Sequence, residues 1–213
     1  MRPNGRRPAA SSAKARARTP RTAVEVRALR KSDWARLEEL FGARGACGGC
    51  WCMVWRLERK AWEAGRGERN RRALKRLVEN GASGVLALAG GRAVGWCSVG
   101  PRAEFVALES KPSLATDWDE RTWSVTCFFV TKEWRKRGLG KRMLDVAVAL
   151  ARKRGASRIE GYPVPPPKAG GDLPGAFAWT GLPQVFEGCG FERLANAPGK
   201  RPIYARSLAR PRR

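Results

Sequence analysis

Apolar positions recur along this chain with two periods, and the switches between them divide it into elements. Val24–Arg27 alternates and is rich in β-branched residues, which predicts a short first strand. Ser32 or Asp33 then caps a helix running to about Phe41, with Trp34, Leu37 and Leu40 on one face. A Gly-rich loop from Gly42 to Gly49 leads into Trp51-Cys52-Met53-Val54-Trp55, a dense patch of aromatic rings and sulfur. The helical period returns over Glu68–Glu79, with Leu74, Leu77 and Val78 as the apolar stripe and Gly81 as the stop.

Val85–Ala89 and Arg92–Val99 read as two apolar strands joined by Gly90-Gly91. A two-residue turn needs positive φ, which glycine supplies, so this is a hairpin signal. A loop through Pro112 and Asp117 precedes Trp123–Val130, the most strand-like stretch of the chain. A long helix follows the glycines at 138 and 140 and runs to Arg154, burying Leu139, Met143, Leu144, Val146, Ala147 and Leu150, with Gly155 ending it. Arg158–Val164 reads as a strand, after which Pro165, Pro166 and Pro167 force an extended stretch. Residues 176–189 read as partly helical, and Phe191–Leu194 with Pro202–Ser207 as a closing strand pair. The order predicts an α/β fold, with a mixed sheet and helices on both faces.

At 213 residues the chain fits one domain, residues 23–208, flanked by tails. Residues 1–22 and 209–213 are expected to be basic tails, the first disordered. Of the 24 excess positive charges, thirteen lie in residues 1–22 and 200–213, where no acid occurs. Such tails bind nucleic acid weakly and without sequence preference. No apolar run approaches the ~20 residues that span a bilayer, and residues 1–22 lack the apolar core of a secretory signal. The expected location is therefore the cytoplasm, with the cysteines reduced.

The chain has no histidine. This excludes Ser-His-Asp and Cys-His nucleophiles and an imidazole base. Cys47-Gly-Gly-Cys50-Trp51-Cys52 has thiolate-ligand spacing, but no second C-x-x-C follows. The expectation is therefore small buried hydrophobes and no metal. Cys127 and Cys189 are read as core thiols in the same way.

The chemistry lies between Val125 and Met143. A strand ends at Val130, Arg135, Lys136 and Arg137 follow, and Gly138-Leu139-Gly140 opens the long helix. Unpaired N–H groups at a helix start carry partial positive charge, and glycine lets a ligand approach the backbone. With three cations beside them, they form a candidate diphosphate cradle. Neither the G-x-G-x-x-G nor the G-x-x-x-x-G-K-[ST] pattern is present.

Val130-x4-Arg135-x-x-Gly138-x-Gly140 resembles the acetyl-CoA signature R/Q-x-x-G-x-G/A of the GNAT superfamily of N-acetyltransferases. The order of elements is similar to theirs, and Gly190-Phe191 stands where they carry a late G-F pair. The likeness extends over about residues 23–208. Cys50-Trp51-Cys52-Met53-x-Trp55-Arg56 resembles the segment of a bacterial subgroup of these enzymes. The resemblance implies a GNAT-like acyl-CoA N-acyltransferase fold with a splayed sheet, acetyl-CoA as co-substrate and an amine as acceptor, by direct attack in a ternary complex. It places the pantetheine arm along Phe128, Phe129 and Val130, and the pyrophosphate on Arg135, Lys136, Arg137, Gly138, Leu139, Gly140 and Lys141. The thioester is expected where Trp123–Val130 and Arg158–Val164 splay apart.

The superfamily's usual acid is a tyrosine four residues before the G-F pair, and that place holds Phe186; a frequent base position holds Ser124. Residues two apart on a strand share a face, so Glu160 and Tyr162 are the alternative base and acid. Trp51 and Trp55, with Trp62 beside them, are candidates for the floor of the acceptor pocket. Two rival readings stand: a catalytically silent CoA-binding fold, and a nucleic-acid-associated basic protein. Monomer and homodimer are both compatible with the sequence.

Overall fold

The structure is a computed structural model and describes residues 23–164, 179–195 and 201–209. Its centre is a seven-stranded sheet in the order β1-β2-β3-β4-β5-β7-β6. The strands are β1 (Val24–Ala28), β2 (Gly84–Ala89), β3 (Arg92–Pro101), β4 (Thr122–Val130), β5 (Arg158–Gly161), β6 (Glu192–Arg193) and β7 (Tyr204–Ser207). Every neighbouring pair is antiparallel except β4 with β5. The mixed α/β class expected from the sequence is the class observed.

Helices cover both faces. On one lie α1 (Trp34–Phe41), α2 (Arg59–Ala64) and α3 (Glu68–Glu79); on the other lies α5 (Leu139–Lys153), with α6 (Pro183–Glu187) near its start. The short α4 (Val106–Glu109) follows β3. Strand β2 explains the layering. Val85, Ala87 and Ala89 pack with Met143, Leu144 and Ala147 of α5, while Leu86 and Leu88 pack with Leu37, Leu74 and Val78. Alternate residues face opposite sides of a sheet, and both sides are covered, so β2 reads as a continuous apolar run. Each Leu or Met buried this way contributes roughly 1.5–3 kcal/mol.

The hairpin turn falls at Gly90-Gly91, with φ of 56° and 79°, and Ala89 pairs with Arg92. The start of α1 differs from expectation. Lys31–Asp33 form a 3-10 turn, and the Asp33 side chain makes no capping bond to the helix. Its carboxylate instead accepts from the Arg30 N–H at 2.8 Å and from the Arg27 guanidinium at 2.6 and 2.8 Å. A charged partner on β1 outbids the helix amides, since hydrogen bonds between ionised groups are the stronger kind.

Strand β5 ends at Gly161, three residues short of the expected Val164. Its partner β4 turns away there, and the Val164 N–H donates to the Gly181 carbonyl at 3.1 Å. The closing pair is also shorter than read, at Glu192–Arg193 and Tyr204–Ser207. The expected tail at 1–22, all but residue 209 of the expected tail at 209–213, the proline run at 165–167 and the start of the segment at 176 lie outside the described residues. Among the described residues no helix is long and apolar enough to cross a membrane.

Candidate active site

The site begins with one extra residue. Ser98 of β3 pairs with Cys127, but Val99 pairs with Val125, so Thr126 has no opposite number. Such a bulge bends its strand and strengthens the local twist. The last β4–β5 pair is Val125 with Gly161. Beyond it the strands diverge, and the edge of β4 from Thr126 to Val130 is released from β5.

A cavity of about 710 Å³ opens along that edge. One wall is Cys127, Phe128, Phe129 and Val130 of β4. The opposite wall comes from the loop at Ala46–Cys50 together with Val54, Trp62 and Arg66. Trp179, Leu182 and Val185 complete it. Its far end is the turn into α5, where Arg135, Lys136, Gly138, Leu139, Gly140 and Lys141 line it.

That turn has the geometry of an anion cradle. Gly138 is the residue before α5 and takes the left-handed conformation, φ 75° and ψ 7°. A Cβ built there meets no atom within 4 Å, so the space above the backbone is open. The first amides of α5 have no partners one turn earlier, as at any helix start. Lys136 also has positive φ, 57°. The Arg135 guanidinium is drawn back to the Val130 carbonyl at 3.0 Å, which ties the turn to the end of β4. The Arg137 guanidinium lies 4.9 Å from the centre of the Trp134 ring and is not part of the lining.

Glu160, Tyr162 and Ser124 are brought together, but not in the cavity. All three side chains are fully buried, with Arg102 only 1% exposed beside them. The Tyr162 hydroxyl donates to Glu160 Oε2 at 2.9 Å and lies 2.9 Å from Ser124 Oγ. Arg102 Nη1 donates to both the Tyr162 hydroxyl, at 2.5 Å, and Glu160 Oε2, at 3.2 Å. Thr116 donates to the same oxygen at 3.3 Å, and Arg158 holds the other oxygen. Two guanidiniums thus compensate one buried carboxylate, the condition under which burial of charge is tolerable. Burial, and then the negative charge of Glu160, push the Tyr162 phenol well above its ordinary value. None of these side chains lines the cavity. The shared face expected for Glu160 and Tyr162 is real. Arg102, from the 3-10 turn after β3, and the segment around Leu114 cover it.

Cys52, Cys97, Cys127 and Cys189 are buried packing groups, whereas Cys47 is exposed and Cys50 half-buried, both on the cavity wall, against the expectation of buried thiols. Cys52 and Cys127 have sulfurs 3.5 Å apart, and the Trp96 indole N–H donates to Cys52 Sγ at 3.2 Å. The bond to Cys52, and then burial, hold the Cys127 thiol well above its usual pKa. Burial also raises the Cys50 thiol, and pushes Cys189 up to about 12. A thiol kept protonated is a poor nucleophile. Among the described residues no group of three or more His, Cys, Asp or Glu is placed to hold a metal ion.

Trp51 and Trp55 lie outside the lining as well. Trp51 stacks on Trp34 with ring centres 6.1 Å apart and bounds a separate hollow of about 380 Å³ beside Glu38 and Arg71. Trp55 is buried against Trp179, centres 5.8 Å apart. The tryptophans that reach the cavity are Trp62, Trp134 and Trp179. Trp179 could not be placed from sequence, because its position depends on where the chain returns between β4 and β5.

The model of the acetyltransferase (GNAT) family matches residues 51–163, more than half of the chain. The chain belongs to the GNAT family. None of the curated proteins matches it. Among solved structures it is similar to an acetyltransferase of Salmonella typhimurium with its cofactor acetyl-CoA. The identity is 15%, the match covers 88% of this chain and 95% of that one, and the TM-score is 0.50. It is also similar to the PaiA N-acetyltransferase of Thermoplasma acidophilum in complex with coenzyme A. There the identity is 16%, the coverage 87% and 99%, and the TM-score 0.49. At 15% identity the likeness to the Salmonella protein speaks for the fold alone. In this GNAT chain Phe186 is a core residue. Its ring packs against Phe191 at 5.2 Å and Phe128 at 6.1 Å, and a Cβ on Gly161 would sit 2.0 Å from its edge.

Proposed function

We propose that this GNAT protein transfers the acetyl group of acetyl-CoA to a primary amine, by direct attack with both substrates bound. One observation carries the reading: a single cavity joins the released edge of β4 to the open, basic turn at the start of α5. The turn suits a diphosphate, with unpaired amides at Leu139–Lys141 and the positive charge of Arg135, Lys136 and Lys141. The edge of β4 suits an extended amide-bearing arm, since strand edges bind such arms through backbone hydrogen bonds. The Phe128 N–H, bonded to the Trp179 carbonyl in the free chain, becomes a donor for a developing oxyanion once a ligand displaces that bond.

Glu160, Tyr162 and Ser124 enter this reading as positioning residues. Their network with Arg102 locks the last pairs of β4 and β5 immediately before the strands part. The domain is residues 23–208. Its six unpaired cysteines fit a reducing compartment such as the cytoplasm.

A second reading has its own support. Phe186 has no proton to give, and no carboxylate or phenol lines the cavity among the described residues, as a catalytically silent CoA-binding fold would have it. Thiol release from acetyl-CoA in the presence of amines separates the two. Amine-dependent release supports the transferase. Tight CoA binding with no release on any amine supports the silent fold.

A further inference from the structure

Among the described residues, the ionisable side chains that line the cavity are three thiols, Cys47, Cys50 and Cys127, and four cations, Arg66, Arg135, Lys136 and Lys141, the last paired with Asp145 at 3.0 Å. No acid or phenol is among them. The deficit is nearly a property of the whole chain, which has no histidine and two tyrosines. Tyr162 is locked in the buried cluster, and Tyr204 donates to Glu187 at 2.7 Å. Of the 19 acidic residues only Asp172 lies outside the described residues. Two of the thiols, Cys50 and Cys127, are held protonated, as described above.

This lining is ill suited to an ordinary alkyl amine. With a conjugate acid near that of lysine, only about one molecule in 2,500 is neutral at pH 7. The rest are charged and must lose a proton between walls that hold, among the described residues, no carboxylate or phenol to take it. The thioester end, by contrast, is apolar and aromatic: Val54, Trp62, Cys127, Phe129 and Trp179.

Resting on the transferase reading, we infer that the acceptor is a primary amine carried directly on an aromatic ring, uncharged at neutral pH and seated against Val54, Trp62 and Trp179. Such a nitrogen needs no base before attack. Its lone pair adds to the thioester carbonyl carbon, the carbon–sulfur bond breaks, and coenzyme A leaves with that electron pair. The nitrogen, made strongly acidic by the attack, gives one proton to water, and water returns one to the thiolate sulfur. The products are the N-acetyl arylamine and free coenzyme A.

The test uses two isomers, 4-methylaniline and benzylamine, which differ in whether the nitrogen is on the ring or one carbon away. The full chain is assayed for thiol release and acetylated product, with acetyl-CoA binding followed separately by calorimetry. The expected result is a kcat/KM at pH 7 at least tenfold higher for 4-methylaniline, flat between pH 6.5 and 8.5. Trp62→Ala is expected to raise its KM with acetyl-CoA affinity unchanged, and Asp172→Asn to leave the rate unaltered. Preference for benzylamine overturns the inference. So does a rate on 4-methylaniline that climbs with pH, a tenfold loss in Asp172→Asn, or no turnover of either isomer by protein that binds acetyl-CoA. Failure to bind acetyl-CoA at all would instead remove the transferase reading.

Discussion

The backbone N–H of Phe128 donates to the carbonyl oxygen of Trp179 at 2.5 Å. This bond lies on the strand edge that the proposed pantetheine arm needs. Trp179–Gly181 bridges the split, bonded to β4 at Phe128 and to the chain beyond β5 at Val164. A ligand on that edge must replace the Trp179 carbonyl, so the free and bound arrangements compete.

Gly181→Ala tests that competition. Gly181 has φ +88°, and an added Cβ would lie 2.8 Å from the Phe186 ring and 3.1 Å from that of Phe128. The substitution should loosen the bridge at a cost of about 1 kcal/mol or more in the free protein. Thermal melting should report a lower Tm. Calorimetry should report acetyl-CoA bound about fivefold more tightly, the equivalent of ~1 kcal/mol. Weaker binding would mean that the bridge is part of the ligand's seat.

Phe186→Tyr should not create a general acid. The ring edge is packed on Gly161 within a core of Phe128, Phe191 and Tyr204. A hydroxyl added there needs room and a partner, so stability should fall by about 1–3 kcal/mol. Amine-dependent turnover should not rise, and a tenfold gain would contradict the account.

Tyr162→Phe separates positioning from proton transfer. Removing the hydroxyl leaves Ser124 Oγ and Glu160 Oε2 each short of a partner, at about 1–3 kcal/mol. The Tm should drop, while the pH profile of kcat keeps its shape and kcat changes by less than about threefold. A hundredfold loss, the scale of a lost general acid, would place Tyr162 in the reaction.

The hydrogen bond from Arg27 holds the Asp33 carboxyl below its ordinary pKa, helped by the Arg30 amide. A group with a depressed folded pKa stabilises the fold above its unfolded value, near 4, and loses that contribution as pH falls through the folded value. Asp33→Asn should therefore be less stable than the parent at pH 7 by about 1–3 kcal/mol. The two unfolding curves should converge in acid, once the pH has fallen below the folded value. A gap that persisted in acid would assign the effect to packing.

Elements whose signal is local were legible in the sequence. Gly90-Gly91 needs only its own backbone to make a hairpin, and the stripe from Leu139 to Ala151 needs only its period. Elements decided by partners were not. Helix α2 buries none of its side chains, so no apolar stripe announced it. The bulge at Thr126 exists only because Val99 skips a residue of β4. Glu160 and Tyr162 do share a face, but whether that face is cleft or core depends on Arg102, which is 58 and 60 residues away along the chain. The turn at 135–141 was legible because its glycines and cations form a pattern by themselves. The cavity above it also required Trp62 and Trp179, which the sequence does not bring together.

The central claim is that the amides and cations around Gly138 hold coenzyme A. Titration of the full chain with acetyl-CoA in a calorimeter, beside the Gly138→Glu, Arg135→Ala double variant, tests it most directly. No atom obstructs a Cβ at 138, so the cost to the fold is the left-handed backbone there and the lost Arg135 bond to the Val130 carbonyl, and an unchanged circular dichroism spectrum checks it. The account predicts one molecule of acetyl-CoA bound per chain by the parent and none by the folded variant. Equal affinity in the two proteins would contradict it.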